Sequence, residues 1–144
     1  MKTIVLISCC KEKLPFPSPA EKLYQSTRFI KALAYAKSIK PDAIYILSAK
    51  HHVVELTQTL EWYDEKLQNK NSDERKEWAE ICLQFLKEKH DLTEDKFIIL
   101  AGLDYYHGLL GKKGICNYEL PLKGLSHGRV LHWFNEHTRG VQND

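Results

Sequence analysis

Three short apolar runs, each followed at once by a cluster of polar and reactive side chains, constrain most strongly what this chain can fold into. The runs span residues 3–7, 44–47 and 97–100. Runs this short and this rich in β-branched residues are typical of strands buried on both faces, as in parallel sheets covered by helices. The sequence therefore predicts an α/β fold, a three-layer open and mostly parallel sheet with helices on both faces.

The segments between the runs favour helices that cross over from one strand to the next. A Pro-rich segment follows the first run. Proline fixes φ and supplies no N–H, so this segment is expected to be a loop rather than a helix or an inner strand. Asn71 and Glu74 form the pattern of a capping box before an amphipathic stretch. Residues 53–70 fit only a short extension ending in a loop. The remaining predictions are helices at 26–38, 72–89, 104–110 and 126–137 and an extended piece at 116–120. We expect one domain over residues 1–144.

The net charge of +2 conceals two sectors of opposite sign. Residues 11–40 carry seven basic and two acidic side chains (+5), whereas residues 55–95 carry six basic and twelve acidic ones (−6). A basic sector beside the end of the first strand would suit a phosphate-bearing ligand, although ordinary solvated helix faces give the same pattern. The balanced total disfavours a dedicated duplex-DNA binder.

The sequence contains no run of the roughly 18 apolar residues that a membrane span requires, so no membrane partner is expected. The apolar run at the N-terminus is too short for a signal peptide. The four cysteines show neither a CxxC pair nor the spacing of secreted proteins, which predicts free thiols in the cytoplasm. Cys82 lies on an apolar helix stripe and is expected in the core.

The carboxyl ends of parallel strands meet at one edge of an open sheet, where ligands bind. Cys9 directly follows the first run, and Lys11 or Lys13 beside it would favour the thiolate. Such a thiol attacks electrophilic carbon. Two alternatives remain, a small residue in a tight turn and a regulatory pair of vicinal thiols with Cys10.

The second cluster, Ser48 to His52, offers a hydroxyl, an amine and two imidazoles within five residues. These groups can orient a ligand, donate hydrogen bonds or move protons. His51 and His52 are adjacent, so in an extended segment at most one of them faces the site. The spacing lacks the usual zinc pattern and the elbow of a hydrolase triad, so no metal is expected.

The third cluster begins at Gly102, where the absence of a side chain permits close approach of a ligand to the backbone. Tyr105 or Tyr106 would stack on a flat base or pack in the core. Asp104 would cap the short helix that follows. There is no P-loop and no GxGxxG, so neither ATP-type nor dinucleotide chemistry, and no cofactor, is expected.

An anion site is also predicted at the start of the first long helix. The Pro-rich loop would fold over that end, where free N–H groups and the Ser26 hydroxyl favour negative charge. One or more cations of this region would complete a phosphate site beside Cys9, namely Lys11, Lys13, Lys22 or Arg28. The competing interpretation is that Ser26 only caps its own helix.

These residues give the chain a resemblance to a widespread family of uncharacterised bacterial and phage domains. One departure is His52, where that family usually has a glycine. The Cys…Lys…Tyr-x-Ser element is also similar to the core of archaeosine synthase, a relative of the tRNA-guanine transglycosylases, and more weakly to the peroxide-stress YaaA family. The matching motifs are Ser8-Cys9-Cys10-Lys11, Leu23-Tyr24-Gln25-Ser26, Ile46-Leu47-Ser48-Ala49-Lys50-His51, Trp62-Tyr63-Asp64, Leu100-Ala101-Gly102 with Tyr105, and Pro121-Leu122-Lys123-Gly124-Leu125.

Together the residues and the resemblance imply an enzyme acting on a nucleobase or modified nucleotide, by base modification or by chemistry at the N-glycosidic bond. The alternative is a non-catalytic module that binds a nucleotide or nucleic acid. The expected catalytic residues are Cys9, Lys11, Ser48 and His51, and the expected substrate-binding residues are Ser8, Tyr24, Ser26, Lys50, Gly102 and Tyr105.

Overall fold

The computed structural model of the chain describes residues 1–138. All three apolar runs form strands, as predicted, and they lie side by side in one sheet. The strands are β1 (Thr3–Ser8), β2 (Ser18–Pro19), β3 (Ala43–Ser48), β4 (His52–Glu55), β5 (Thr59–Leu60), β6 (Lys96–Leu100) and β7 (Tyr118–Glu119). The helices are α1 (Ala20–Leu23), α2 (Thr27–Ser38), α3 (Ser72–Lys89), α4 (Leu103–Tyr106) and α5 (His127–His137), with 3-10 turns at Leu67–Asn69 and His107–Leu109.

The main sheet has the strand order β4-β3-β1-β6-β7. Its central strand, β1, pairs in parallel with β3 and with β6, so that Ile7 lies between Ile46 and Leu100. β7 continues the parallel arrangement, whereas β4 folds back antiparallel on β3. The mostly parallel α/β sheet is therefore confirmed.

Helices cover both faces of this sheet. Successive side chains of β1 point to opposite faces, so β1 packs against helices on each side. Val5 and Ile7 pack on the face that carries α2 and α5. Ile4 and Leu6 pack on the opposite face, against α3. All four side chains are at most 1% exposed, which explains why the run is continuously apolar rather than alternating.

The two longest helices begin at the predicted capping residues. The Asn71 side chain accepts a hydrogen bond from the Glu74 amide at 2.8 Å, and the Glu74 carboxylate accepts one from the Asn71 amide at 2.9 Å. This reciprocal pair is the predicted capping box of α3. Ser26 caps α2 in the simpler way, by accepting from the Phe29 amide at 3.1 Å.

The structure differs from the predictions mainly between residues 53 and 70. This segment contains β4, β5 and a 3-10 turn, and β5 pairs with β2 from within the Pro-rich loop. The helix expected over 104–110 is divided into α4 and a 3-10 turn. None of the helices formed by residues 1–138 has the length and apolarity needed to cross a membrane.

Candidate functional site

The carboxyl ends of β1 and β6 bring together the first and third polar clusters. The chain passes from β1 to β3 on one side and then to β6 on the other, so the connections diverge at β1. Cys9 is held beyond the strand by its amide, which donates to the Leu47 carbonyl at 2.9 Å. Its Sγ lies 3.3 Å from the hydroxyl of Tyr105. In open α/β sheets such a divergence marks the crevice where ligands bind.

Ser48, the first residue of the second cluster, is linked to the protein interior through a chain of three hydrogen-bonded hydroxyl groups. The Tyr63 hydroxyl lies 2.7 Å from Ser48 Oγ and 2.6 Å from the Tyr24 hydroxyl. None of the three side chains is more than 4% exposed. This buried hydroxyl chain fixes the turn at the end of β3, because buried polar groups are retained where they satisfy one another.

The directions of these hydrogen bonds follow from the number of acceptors that Ser48 can offer. Its Oγ already accepts from the amides of Lys50 at 3.3 Å and His51 at 2.9 Å, which uses both lone pairs. Ser48 therefore donates its own hydrogen to Tyr63, which in turn donates to Tyr24. The last hydroxyl hydrogen of the chain remains on Tyr24.

The tyrosine hydroxyls of the site stay protonated at neutral pH. Burial raises the pKa of Tyr24, Tyr63 and Tyr105 well above the usual range, and the neighbouring Cys9 adds to the rise in each case. A protonated Tyr105 is able to donate to a thiolate at Cys9, which is the form of sulfur that acts as a nucleophile.

An aromatic and a cationic group contact the ring of Tyr63. The Lys13 ammonium lies 4.4 Å from the centre of the Tyr63 ring, within the range of a cation–π contact. The His51 imidazole meets the same ring edge-on at 5.2 Å. Burial and the charge of Lys50 lower the pKa of His51, so this imidazole is neutral at pH 7 and can accept a proton.

The two adjacent histidines have different surroundings, although they lie where the turn after β3 leads into β4 and not in the extended segment assumed from the sequence. His51 contacts Tyr63, whereas His52 lines a different depression of about 250 Å³ beside α3. His52 has φ 66°, in the left-handed region that glycine favours. The tight turn usual at this position is therefore formed even though the residue is histidine.

The remaining candidates lie around this edge with different exposure. Ser8 ends β1 opposite Leu47 and is half-buried. Lys11 and Lys50 are exposed, and neither forms an ion pair within residues 1–138. Gly102 has φ −77°, and a Cβ built on it would meet nothing within 4 Å. A ligand therefore has room to approach the Gly102 backbone.

Two of the expected ligand-binding hydroxyls are already engaged within the protein. Ser26 caps α2, as the competing interpretation held, and Tyr24 is 1% exposed with its hydroxyl bound to Tyr63. Asp104 does not cap α4, because Gly102 occupies that position. Instead, Asp104 lies 3.8 Å from Arg75.

Sequence reasoning missed the central part that Tyr63 and Trp78 play. Tyr63 connects Ser48 with Tyr24, and the Trp78 indole donates to the Ser48 carbonyl at 2.8 Å. Trp78 lies on the apolar stripe of α3, so its spacing in the sequence predicts core packing and does not indicate its polar contact. Only the Trp62-Tyr63-Asp64 motif pointed to Tyr63, with no indication of its partners.

The cysteines and acidic groups limit the other chemistries that this part of the chain offers. All four cysteines are free, and burial raises the pKa of the Cys82 thiol in the core. Within residues 1–138, no group of three or more His, Cys, Asp or Glu side chains is placed to hold a metal ion.

A comparison with protein families matches residues 4–136 to a model described as "Family of unknown function (DUF6884)". The match begins at the second residue of β1 and ends at Glu136, the last residue but one of α5. This agrees with the expected resemblance to an uncharacterised domain family. No curated protein and no solved structure matches the chain.

Proposed function

We propose that the chain, which belongs to the Family of unknown function (DUF6884), is an enzyme acting on a nucleobase or a modified nucleotide. The proposal rests on the site, because a fold alone does not specify a reaction. The similarity of Cys9, Lys11, Tyr24 and Ser26 to archaeosine synthase points the same way. That likeness and the weaker one to the YaaA family depend on these residues only, since no comparison adds to them.

The observation that carries the proposal is the position of the Cys9 thiol. It lies at the carboxyl end of the central strand, where the connections diverge, and contacts the Tyr105 hydroxyl at 3.3 Å. A half-buried thiol beside a protonated hydroxyl fits a nucleophile better than it fits a structural residue. By contrast, Cys82 shows the structural case, since it is fully buried among apolar side chains.

The chemistry available to this thiol is addition to an electrophilic ring carbon of a base. Addition of S–H across a C=N bond places the sulfur on carbon and the hydrogen on nitrogen, so atoms and charge balance. Tyr105 would orient the sulfur, and its ring would lie beside the flat base. His51, neutral at pH 7, is the available proton acceptor on the Ser48 turn.

Exposed cations at the same edge supply the attraction for a phosphate group. Lys11 and Lys50 reach solvent without ion-pair partners in residues 1–138, and Lys13 lies over Tyr63. A nucleotide placed with its base beside Tyr105 would extend its phosphate toward these lysines. The competing function, a non-catalytic nucleotide or nucleic-acid module, would use the same cations and leave the thiol idle.

Titration with nucleoside monophosphates and short single-stranded oligonucleotides tests binding first. Affinity should fall as salt rises, and Lys11→Ala should weaken it, whereas Lys112→Ala, an equally exposed lysine outside the site, should not. Chromatography of the recovered nucleosides then tests turnover. A chemical change lost in Cys9→Ser supports the enzyme. Binding without any Cys9-dependent change supports the binding module, and the absence of binding at low salt overturns both.

A further inference from the structure

A second cavity, separate from the edge of the sheet that carries Cys9, lies between α3 and the segment that follows β6. Its volume is about 820 Å³. The wall opposite α3 is formed by α4, the 3-10 turn at His107–Leu109 and residues 110–114. Its apolar surface comes from Trp78, Leu83 and Leu110, and the 60% exposed side chain of Leu103 lies at its margin. Small-molecule sites have roughly this size and mainly apolar walls.

The charged groups around this cavity favour an anion. Asp104 is paired with Arg75 at 3.8 Å. Three lysines line the cavity, Lys76, Lys87 and Lys113, and none of them forms an ion pair within the described part of the chain. The surrounding segment 55–95 is acidic overall, so the cations form a local cluster against the general trend. They comprise Arg75, Lys76, Lys87 and Lys113, and the carboxylates beside them are Glu80 and Asp104, which leaves an excess of two positive charges.

Two aromatic residues belong both to this cavity and to the site at the sheet edge. Tyr105 lines the cavity and brings its hydroxyl to within 3.3 Å of Cys9 Sγ. Trp78 lines the cavity and donates to the Ser48 carbonyl at 2.8 Å. The two rings meet edge-on at 5.7 Å. A molecule in the cavity therefore packs against the residues that hold the end of β1 and the end of β3.

We propose that this cavity binds a small amphipathic anion, an apolar body that carries one carboxylate or phosphate group, and that its occupancy changes the reactivity of Cys9 through Tyr105. The apolar body would pack on Trp78 and Leu83, and the charged group would face the lysines at the margin. This site stands whether or not Cys9 acts as a nucleophile in catalysis.

Calorimetric titration with decanoate, decyl phosphate and 1-decanol, below their aggregation concentrations, tests the binding. Both anions should bind at least tenfold more tightly than the neutral alcohol, which has the same apolar chain. The double variant Lys76→Gln/Lys113→Gln should weaken binding of the anions about tenfold, because two charge contacts are lost. The matched control Lys66→Gln/Lys112→Gln removes two lysines that do not line the cavity and should bind as the wild type does.

The coupling is tested by the rate at which iodoacetamide labels Cys9. Saturating decanoate should speed this labelling at least threefold in the wild type, since a ligand against the Tyr105 ring holds its hydroxyl on the sulfur, where it donates to the thiolate. Tyr105→Phe should still bind decanoate but lose the effect on labelling. Equal affinities for decanoate and decanol, or unchanged binding by the lysine variant, would overturn the anion site. An unchanged labelling rate in the saturated wild type would overturn the coupling.

Discussion

Replacement of Tyr63 by phenylalanine tests the buried hydroxyl chain, because the ring stays and a single oxygen is removed. The oxygen takes part in hydrogen bonds of 2.6 Å to Tyr24 and 2.7 Å to Ser48. Each such bond contributes about 1 kcal/mol to stability, and the Ser48 hydroxyl, which is 0% exposed, would lose its acceptor at a further cost. We expect Tyr63→Phe to lower the free energy of unfolding by about 2–3 kcal/mol.

Urea denaturation followed by circular dichroism measures this loss, with Tyr118→Phe as the matched control. Tyr118 is 41% exposed, and its hydroxyl forms no hydrogen bond within residues 1–138, so its removal should cost less than about 0.5 kcal/mol. If both variants unfold at the same urea concentration, the chain of three hydroxyls does not stabilise the protein and the reasoning is refuted.

Three further changes test the backbone and the charges. Gly114→Ala should destabilise the protein by about 1–3 kcal/mol, since its Cβ would lie 2.3 Å from the Leu109 carbonyl oxygen. Gly102→Ala, where the Cβ meets nothing within 4 Å, should be nearly neutral. Equal melting temperatures of the two variants would contradict this. His52→Gly should raise stability by about 0.5–1 kcal/mol by relieving φ 66°, and a loss would contradict it. Amide hydrogen bonds hold the pKa of Asp95 below its usual range, so its contribution to stability is present at neutral pH and is lost as pH falls through that lowered pKa. Asp95→Asn should therefore flatten the fall in stability as the pH drops below about 4, the usual pKa of an aspartate, and a profile like that of the wild type would oppose this.

The sheet was predictable because its signal is local. A strand buried on both faces is apolar over a continuous stretch, and β1, β3 and β6 each show such a stretch in the sequence, with polar residues only at their ends. The capping box at Asn71 is also local, since its two partners are three residues apart. The carboxyl ends of parallel strands share one edge, which is why Cys9 and Tyr105 were expected there, whereas the 3.3 Å contact between them depends on side-chain packing that the sequence does not show.

The short strands β2 and β5 were not predictable, because each has only two residues and depends on a distant partner. Ser18 pairs with Leu60 across the chain, and no periodicity in two residues indicates such a pairing. The role of Tyr63 was hidden for the same reason. Its partners Ser48 and Tyr24 are 15 and 39 residues away along the chain. A tyrosine in a polar loop is therefore predicted to lie at the surface.

The sequence also left two interpretations of Ser26 open, and the structure favours the simpler one. The Ser26 side chain caps α2, as serine commonly does at the start of a helix. The proposed phosphate recognition at this edge therefore relies on exposed side chains such as Lys11 rather than on the Ser26 hydroxyl. The spacing of residues does not distinguish a capping serine from a ligand-binding one, because both roles use the same hydroxyl at the same position.

The most direct test of the proposed enzyme is to map alkylation of the four cysteines by mass spectrometry, with and without nucleotide. Cys116 is exposed, whereas Cys9 and Cys10 are half-buried and Cys82 is buried. Exposure alone would make Cys116 the fastest to react. We predict instead that Cys9 reacts first, that Tyr105→Phe slows it and that bound nucleotide protects it. Labelling of Cys9 no faster than that of Cys10 or Cys116, with no protection, would contradict a catalytic thiol.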